Sequence, residues 1–225
     1  MTEQDLQKWF EAIWADREDR IYRAFFGDTG PGIYNIPVDT FKSLGQPDPD
    51  PRYLTHGVLE CPPTATRPHW LYVSSGMSNP WGENPDTVNS DNYSGLGFEF
   101  TLHTKSQARW PIQVLHYLMA VQLLVASGQV QGHLLERNDR IPLGGALWKK
   151  DGKITHLLVA EPPAPPEGYP PRFELASGKV DLMLIIGISL RETEFAKTQG
   201  PEPLINLLRH QNVFSLTDPE RTDVL

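Results

Sequence analysis

The chain predicts an α/β fold of the α+β kind, with a central mixed, largely antiparallel β-sheet and helices packed on its faces. Three observations carry that expectation. Leu96, Phe98, Phe100 and Leu102 alternate with Gly97, Glu99, Thr101 and His103, the period-two pattern of a strand with one buried face. Trp110-Pro111 opens the strongest helical pattern, because proline at a first helical position forfeits no hydrogen bond. The other strand-like segments fall mostly in the second half, so the sheet is assembled largely from there.

From the amino terminus, Thr2 and Asp5 form a capping pair, and Leu6, Trp9, Phe10, Ile13 and Trp14 follow at helical spacing. This predicts an amphipathic helix to about residue 24 whose aromatic stripe packs on the sheet. Gly27 to Gly32 ends it in a turn, and residues 37 to 51, rich in Pro and Asp, read as a surface loop. Gly57 to Cys61 and His69 to Ser74 are short strands, the second apolar on both faces.

The helix after Trp110 shows Val114, Leu115, Leu118, Met119, Gln122 and Leu123 on one face, and Gly128 ends it. Val121, Leu124 and Val125 add apolar surface opposite, so this helix is expected to be sandwiched. Gln129 to Leu135, Ile154 to Glu161, Phe173 to Ala176 and Val180 to Ser189 are strand-like, with a tight hairpin at Ser177-Gly178. Glu161 to Pro171 holds six prolines and reads as a stiff crossing loop. Helices at Arg191 to Lys197 and Pro203 to His210 and a short strand at Val213 to Leu216 complete a single domain over 1–225, its core at about 20–221.

Composition narrows the partners. Twenty basic against 28 acidic residues give a formal charge of -8, which phosphate backbones repel, and Lys149-Lys150 is the densest basic pair. No nucleic acid is expected. Cys61 is the sole cysteine, a passive buried thiol beside two prolines, which points to a reducing compartment. The start of the chain lacks the basic-then-apolar pattern of a secretory leader, and the longest apolar run, Leu182 to Ile188, is broken by Gly187. A cytoplasmic protein with no membrane association is the expectation.

Catalytic patterns are sparse. No GxxxxGK[ST] cradle or GxSxG elbow occurs, and Gly95-Leu96-Gly97 lacks the third glycine of a dinucleotide turn because position 100 is Phe. The seven histidines show no zinc-ligand spacing, and no cofactor or metal is expected. One constellation offers an enzymatic alternative. Glu99 and His103 point to the same side of their strand and, joined by Asp91 or Glu83, could hold a divalent cation and serve a metal-assisted hydrolase. The plainer reading has Glu99 hydrogen-bonded to backbone or to a loop arginine such as Arg109. The loop from Ser78 to Ser94 instead carries what a binding surface needs: Trp81 and Tyr93 as large anchors, with Glu83, Asp86 and Asp91 as acceptors.

The residues from His69-Trp70 through Tyr72-Val73-Ser74-Ser75-Gly76-Met77-Ser78, then Trp81-Gly82-Glu83-Asn84, resemble the suppressor of fused (SUFU) family. Ser94-Gly95-Leu96-Gly97-Phe98-Glu99-Phe100-Thr101-Leu102 and Trp110-Pro111 continue the likeness, and weaker similarity reaches Leu216-Thr217-Asp218. The resemblance implies a non-enzymatic domain that binds other proteins. The animal member grips a transcription-factor peptide between two lobes by adding it as a strand, and bacterial single-lobe relatives act as immunity proteins against toxins. The chain resembles the first lobe alone. Trp81 and Asp91 fall where that lobe has the aromatic and the aspartate that meet the peptide, with Trp in place of a tyrosine and a shorter loop between. The partner so implied is another protein, a toxin domain or a peptide added at a sheet edge.

Overall fold

A computed structural model describes residues 2–89, 91–147 and 152–225; Lys149-Lys150 lies outside them. The chain starts in α1 (Glu3–Ala15), where Thr2 and Asp5 close a capping box. It runs on through a π-helical segment, Asp16–Tyr22, into α2 (Arg23–Phe26) and stops at Gly27. The buried residues of the wider π segment are Arg17, Ile21 and Tyr22, the outer two five apart as i→i+5 winding requires.

The strands are β1 (Tyr34–Asn35), β2 (Gly57–Cys61), β3 (Trp70–Ser75), β4 (Tyr93–Thr104), β5 (Arg140–Pro142), β6 (Ile154–Ala160), β7 (Arg172–Leu175) and β8 (Gly178–Ser189). They form one mixed sheet in the order β1-β2-β3-β4-β8-β6-β5, with β7 also on β8. Every pairing is antiparallel except the central one, β4 with β8. The fold class expected from the sequence is the one observed.

Three layers result. On one face α4 (Trp110–Ala126) packs Leu115, Leu118 and Met119 against Tyr72, Phe100, Leu102 and Ile185. On the other, Ile13, Ile21, Tyr22 and Phe26 cover Leu59, Leu71, Val73 and Leu182. Further along that face α5 (Leu190–Gln199) and α6 (Pro201–His210) bring Ala196, Leu204 and Leu208 onto Leu158, Leu184 and Ile186. The sandwiching of α4 is observed: Val130, Leu134 and Leu143, outside the strands, pack on its cluster together with Ile141 of the edge strand β5.

Several local expectations are corrected. The polar row of β4 is not solvated, since Glu99 and Thr101 are fully buried and His103 nearly so. Helices on both sheet faces leave no wet side. Residues 37 to 51 contain α3 (Val38–Ser43), because Pro37 presets the entry and Phe41 is buried in the α4 core. Gln129 to Leu135 and Val213 to Leu216 form no strands; their apolar residues serve as cover, and Leu135 N donates to Gln122 Oε1 at 2.7 Å. The hairpin lies one residue earlier than expected, with Ala176 and Ser177 between the paired Leu175 and Gly178. The aromatic stripe of α1 reaches the sheet side only in part, since Leu6 and Trp14 are exposed and Phe10 stacks on Trp81.

Candidate functional site

The acidic loop between β3 and β4 stands on a buried polar network. Glu99, at the middle of β4, accepts from Gly76 N at 3.0 Å, Ser78 N at 2.9 Å and Ser78 Oγ at 2.7 Å, and from Ser74 Oγ. Arg17 descends from the π segment and donates to Ser75 Oγ at 3.1 Å, Ser78 Oγ at 3.0 Å and Asn79 Oδ1 at 2.7 Å. Ser78 thus accepts from the cation and donates to the carboxylate, and Ser75 relays Arg17 to Glu18 in the same way. Charges buried this deeply persist only when so partnered. The Tyr22 hydroxyl donates to Ser74 O at 2.8 Å, and burial raises its pKa well above the ordinary phenol value. The plainer expectation for Glu99, backbone hydrogen bonding, is observed, although the arginine beneath the loop is Arg17 and not Arg109.

Glycine is required where the loop rejoins the sheet. At Gly95, φ +56°, a Cβ would stand 2.5 Å from Asn79 O and 2.6 Å from Met77 O, too close for any side chain. Leu96 N there donates to Met77 O at 2.8 Å, closing the loop.

The five predicted contact residues divide between two settings. Trp81 stacks on Phe10 of α1 with ring centroids 4.1 Å apart and lies 5.6 Å from the Arg52 guanidinium, leaving its side chain 37% exposed. Glu83 accepts from Gly95 N at 2.9 Å, so its carboxylate shapes the loop. Asp86 is exposed at the tip. Asp91, also exposed, meets Lys179 Nζ at 3.3 Å. Tyr93, half exposed, donates to Asp181 Oδ2 at 3.2 Å and accepts from Arg172 Nη2 at 3.0 Å; Arg172 also lies 5.6 Å from its ring. Arg172 opens β7, which pairs only with β8 among the described residues. Leu182 N donates to Pro171 O at 2.8 Å, so by alternation the backbone groups of Arg172 and Glu174 face away from β8.

The constellation behind the enzymatic alternative does not assemble. Glu99 is enclosed among serines, and Asp91 stands in solvent with Lys179. His103 belongs to a third setting: His69 Nε2 lies 2.7 Å from His103 Nδ1, His103 Nε2 is 3.0 Å from the Tyr169 hydroxyl, and that hydroxyl donates to Thr101 Oγ1 at 2.6 Å. Tyr169 gives its proton to Thr101, so it accepts from His103 Nε2–H, and His69 donates to His103 Nδ1. Burial disfavours the charged form of both rings. Burial lowers the pKa of His69 to about 4 and that of His103 further, while it pushes Tyr169 up. Among the described residues no group of three His, Cys, Asp or Glu side chains is placed to hold a metal ion. Cys61 is buried, its thiol pushed up to about 12 by desolvation, as a passive core residue would be.

Sequence reasoning missed Arg17, Phe10, Arg172 and Lys179. Arg17 carried a faint signal, a lone cation among Ile13, Ile21 and Tyr22 on the inward stripe. Arg172 and Lys179 are read only once the sheet order puts β7 and β8 beside the loop, and Phe10, named in the α1 stripe, shows its part only where it stacks on Trp81.

The model of one family, suppressor of fused protein (SUFU), matches residues 53–222. The suppressor of fused homologs of Mus musculus and Homo sapiens are each 25% identical to this chain over 178 residues, which is 74% of its length and 34% of theirs. The chain therefore spans about a third of the length of these curated relatives. Among solved structures, a chain of the Sufu–Fu complex matches with a TM-score of 0.57 and 21% identity, over 83% of this chain and 88% of that one. Drosophila Suppressor of Fused matches with a TM-score of 0.58 and 19% identity, over 83% and 49%. A SUFU homolog from Neisseria gonorrhoeae matches with a TM-score of 0.61 and 16% identity, over 97% and 98%. These likenesses bear on the fold, and no helix among the described residues is long and apolar enough to cross a membrane.

Proposed function

The chain belongs to the suppressor of fused family, and on that footing we propose that it is a non-enzymatic module that holds another protein at its acidic loop and the adjoining edge of β7. What supports this reading most is the contiguity of Tyr93 with that edge. The exposed phenol is tied to Arg172, the first residue of a strand whose outward backbone groups pair with no other strand among the described residues. An extended partner segment laid along β7 would receive main-chain hydrogen bonds and lie beside Arg172, whose guanidinium reaches across β8 to the Tyr93 phenol. A solved relative is a component of a complex with another protein, Fu.

The partner suited to this face is basic. Asp86 and Asp91 are exposed on a chain of net charge -8, and such a field speeds encounter with a cation-rich protein. A toxin domain kept inactive by occlusion fits that description, and the module would act in the cytoplasm beside it. Co-purification from the native cell tests the reading. A protein recovered with the wild-type chain and lost with Tyr93→Ala and Asp91→Lys, at unchanged melting temperature, supports it; retention by both variants refutes it. For the immunity role, the recovered protein must be lethal when expressed without this chain.

A further inference from the structure

At the far end of α4, one helix length or about 25 Å from the acidic loop, lies a cavity of about 810 Å³. That volume suits a small molecule, whose sites run roughly 300–1,000 Å³. Ile33, Pro37, Ile112 and the ring of Tyr34 give it an apolar wall. Two charges of opposite sign line it as well. Glu60 of β2 brings in a carboxylate from a residue only 5% exposed. Arg109, exposed at the start of α4, brings in a guanidinium.

Neither charge forms an ion pair among the described residues, with the other or with any third group. Glu60 Oε2 accepts from Gln107 Nε2 at 2.7 Å. The Tyr72 hydroxyl, which donates to Ala108 O at 2.9 Å, is also within hydrogen-bonding reach of Glu60. A carboxylate has about four acceptor positions, and those that Gln107 leaves open face whatever enters the cavity. Of the other polar linings, His116 Nε2 lies 2.7 Å from Tyr34 O and Asn35 Nδ2 donates to Leu54 O at 2.9 Å, while the exposed Gln113 amide is open to the cavity.

We propose that this cavity binds a small zwitterion, an ammonium and a carboxylate on an apolar frame, as in free amino acids and dipeptides. The ammonium meets Glu60, the carboxylate meets the planar fork of Arg109, and the apolar wall takes the side chain. A phosphate would be repelled by Glu60, a simple amine would leave Arg109 unmet, and a hydrocarbon would bury both charges without partners. The site is independent of the partner-binding face and stands whether or not that reading holds.

Titrations of the isotope-labelled full chain, followed by the amide signals of Gln107 and Ile112, test the proposal. The probes are L-leucine, leucyl-leucine, leucinamide, which lacks the carboxylate, and isocaproate, which lacks the ammonium. A zwitterion should bind about tenfold more tightly than either singly charged probe, as one charge-assisted hydrogen bond allows. Whichever of leucine and leucyl-leucine binds better separates a free amino acid from a dipeptide. In Glu60→Gln, which can still accept from Gln107, isocaproate should match the zwitterion; in Arg109→Gln, at an exposed position, leucinamide should. Equal affinity of charged and zwitterionic probes in the wild-type chain, or no saturable binding at millimolar concentration by a folded sample, overturns it.

Discussion

The two ends of the acidic loop are held by different kinds of structure. The Trp81 end lies beneath α1, a helix whose residues 3–8 are exposed and which reaches the body mainly through Phe10 and the buried Ile13. The Tyr93 end enters β4 beside β7 and β8 and is tied to Arg172, Asp181 and Lys179, all on the central sheet. A helix attached through few apolar contacts opens at low free-energy cost, whereas a sheet edge keeps its shape unless the fold itself opens. The Tyr93 end is therefore the preorganised half of the face, and the Trp81 end is the half that can be uncovered.

The largest effect should come from removing what both ends share. Glu99→Leu takes from buried Arg17 the carboxylate relayed by Ser78, leaving it Glu18 alone, and deprives Gly76 N and Ser78 N of their acceptor. Breaking a buried charge arrangement from one side costs on the order of 3–5 kcal/mol. For a chain of this size that lowers the melting temperature by roughly 10 °C or more. Calorimetry reads it, and an unchanged transition would mean that the loop does not depend on this network.

Acid should act next on the ground beneath the loop, where His56 lines one hollow with Trp81 and also feels the charge of Glu99. It is fully buried; its Nδ1 is 2.9 Å from Arg52 O, hence protonated there, and desolvation lowers its pKa to about 4. In the unfolded chain a histidine titrates near 6.5. Between those values the unfolded state binds more protons, so stability is complete above pH 6.5 and falls as pH drops toward 4, by about 3 kcal/mol for this residue. Urea unfolding at pH 7, 5.5 and 4.5 checks the slope, which His56→Phe should reduce. A slope unaffected by that change would remove His56 from the account.

How much of this was legible beforehand follows from the range of the interactions. The strands β2, β3, β4, β6 and β8 and the helix α4 announce themselves because each carries enough apolar residues to show a period. β1 and β5, of two and three residues, cannot show one. Gln129 to Leu135 carries apolar residues at strand-like spacing but uses them to cover α4, and that choice is made by the helix beneath it. In the candidate face the residue types were readable, and their neighbours were not. Asp91 finds Lys179 and Tyr93 finds Arg172 across separations of 88 and 79 residues, set by the parallel pairing of β4 with β8 and by β7 alongside. Nothing local to the loop encodes that.

The smallest change should be the most informative about the comparison. Phe10→Ala removes the ring that stacks on Trp81 and leaves Ile13 and the capping box of α1 in place. Loss of an aromatic pair of this geometry costs roughly 1 kcal/mol beyond the lost burial, so the fold survives and α1 loosens. Amide exchange along α1 should quicken, and the indole signal of Trp81, assigned through Trp81→Phe, should become more accessible to a soluble quencher. The amides of β7 and the Tyr93 ring signal should not move. Loosening that spread equally to β7 would show that the two ends form one cooperative unit, and the distinction between an uncovered half and a preorganised half would fail.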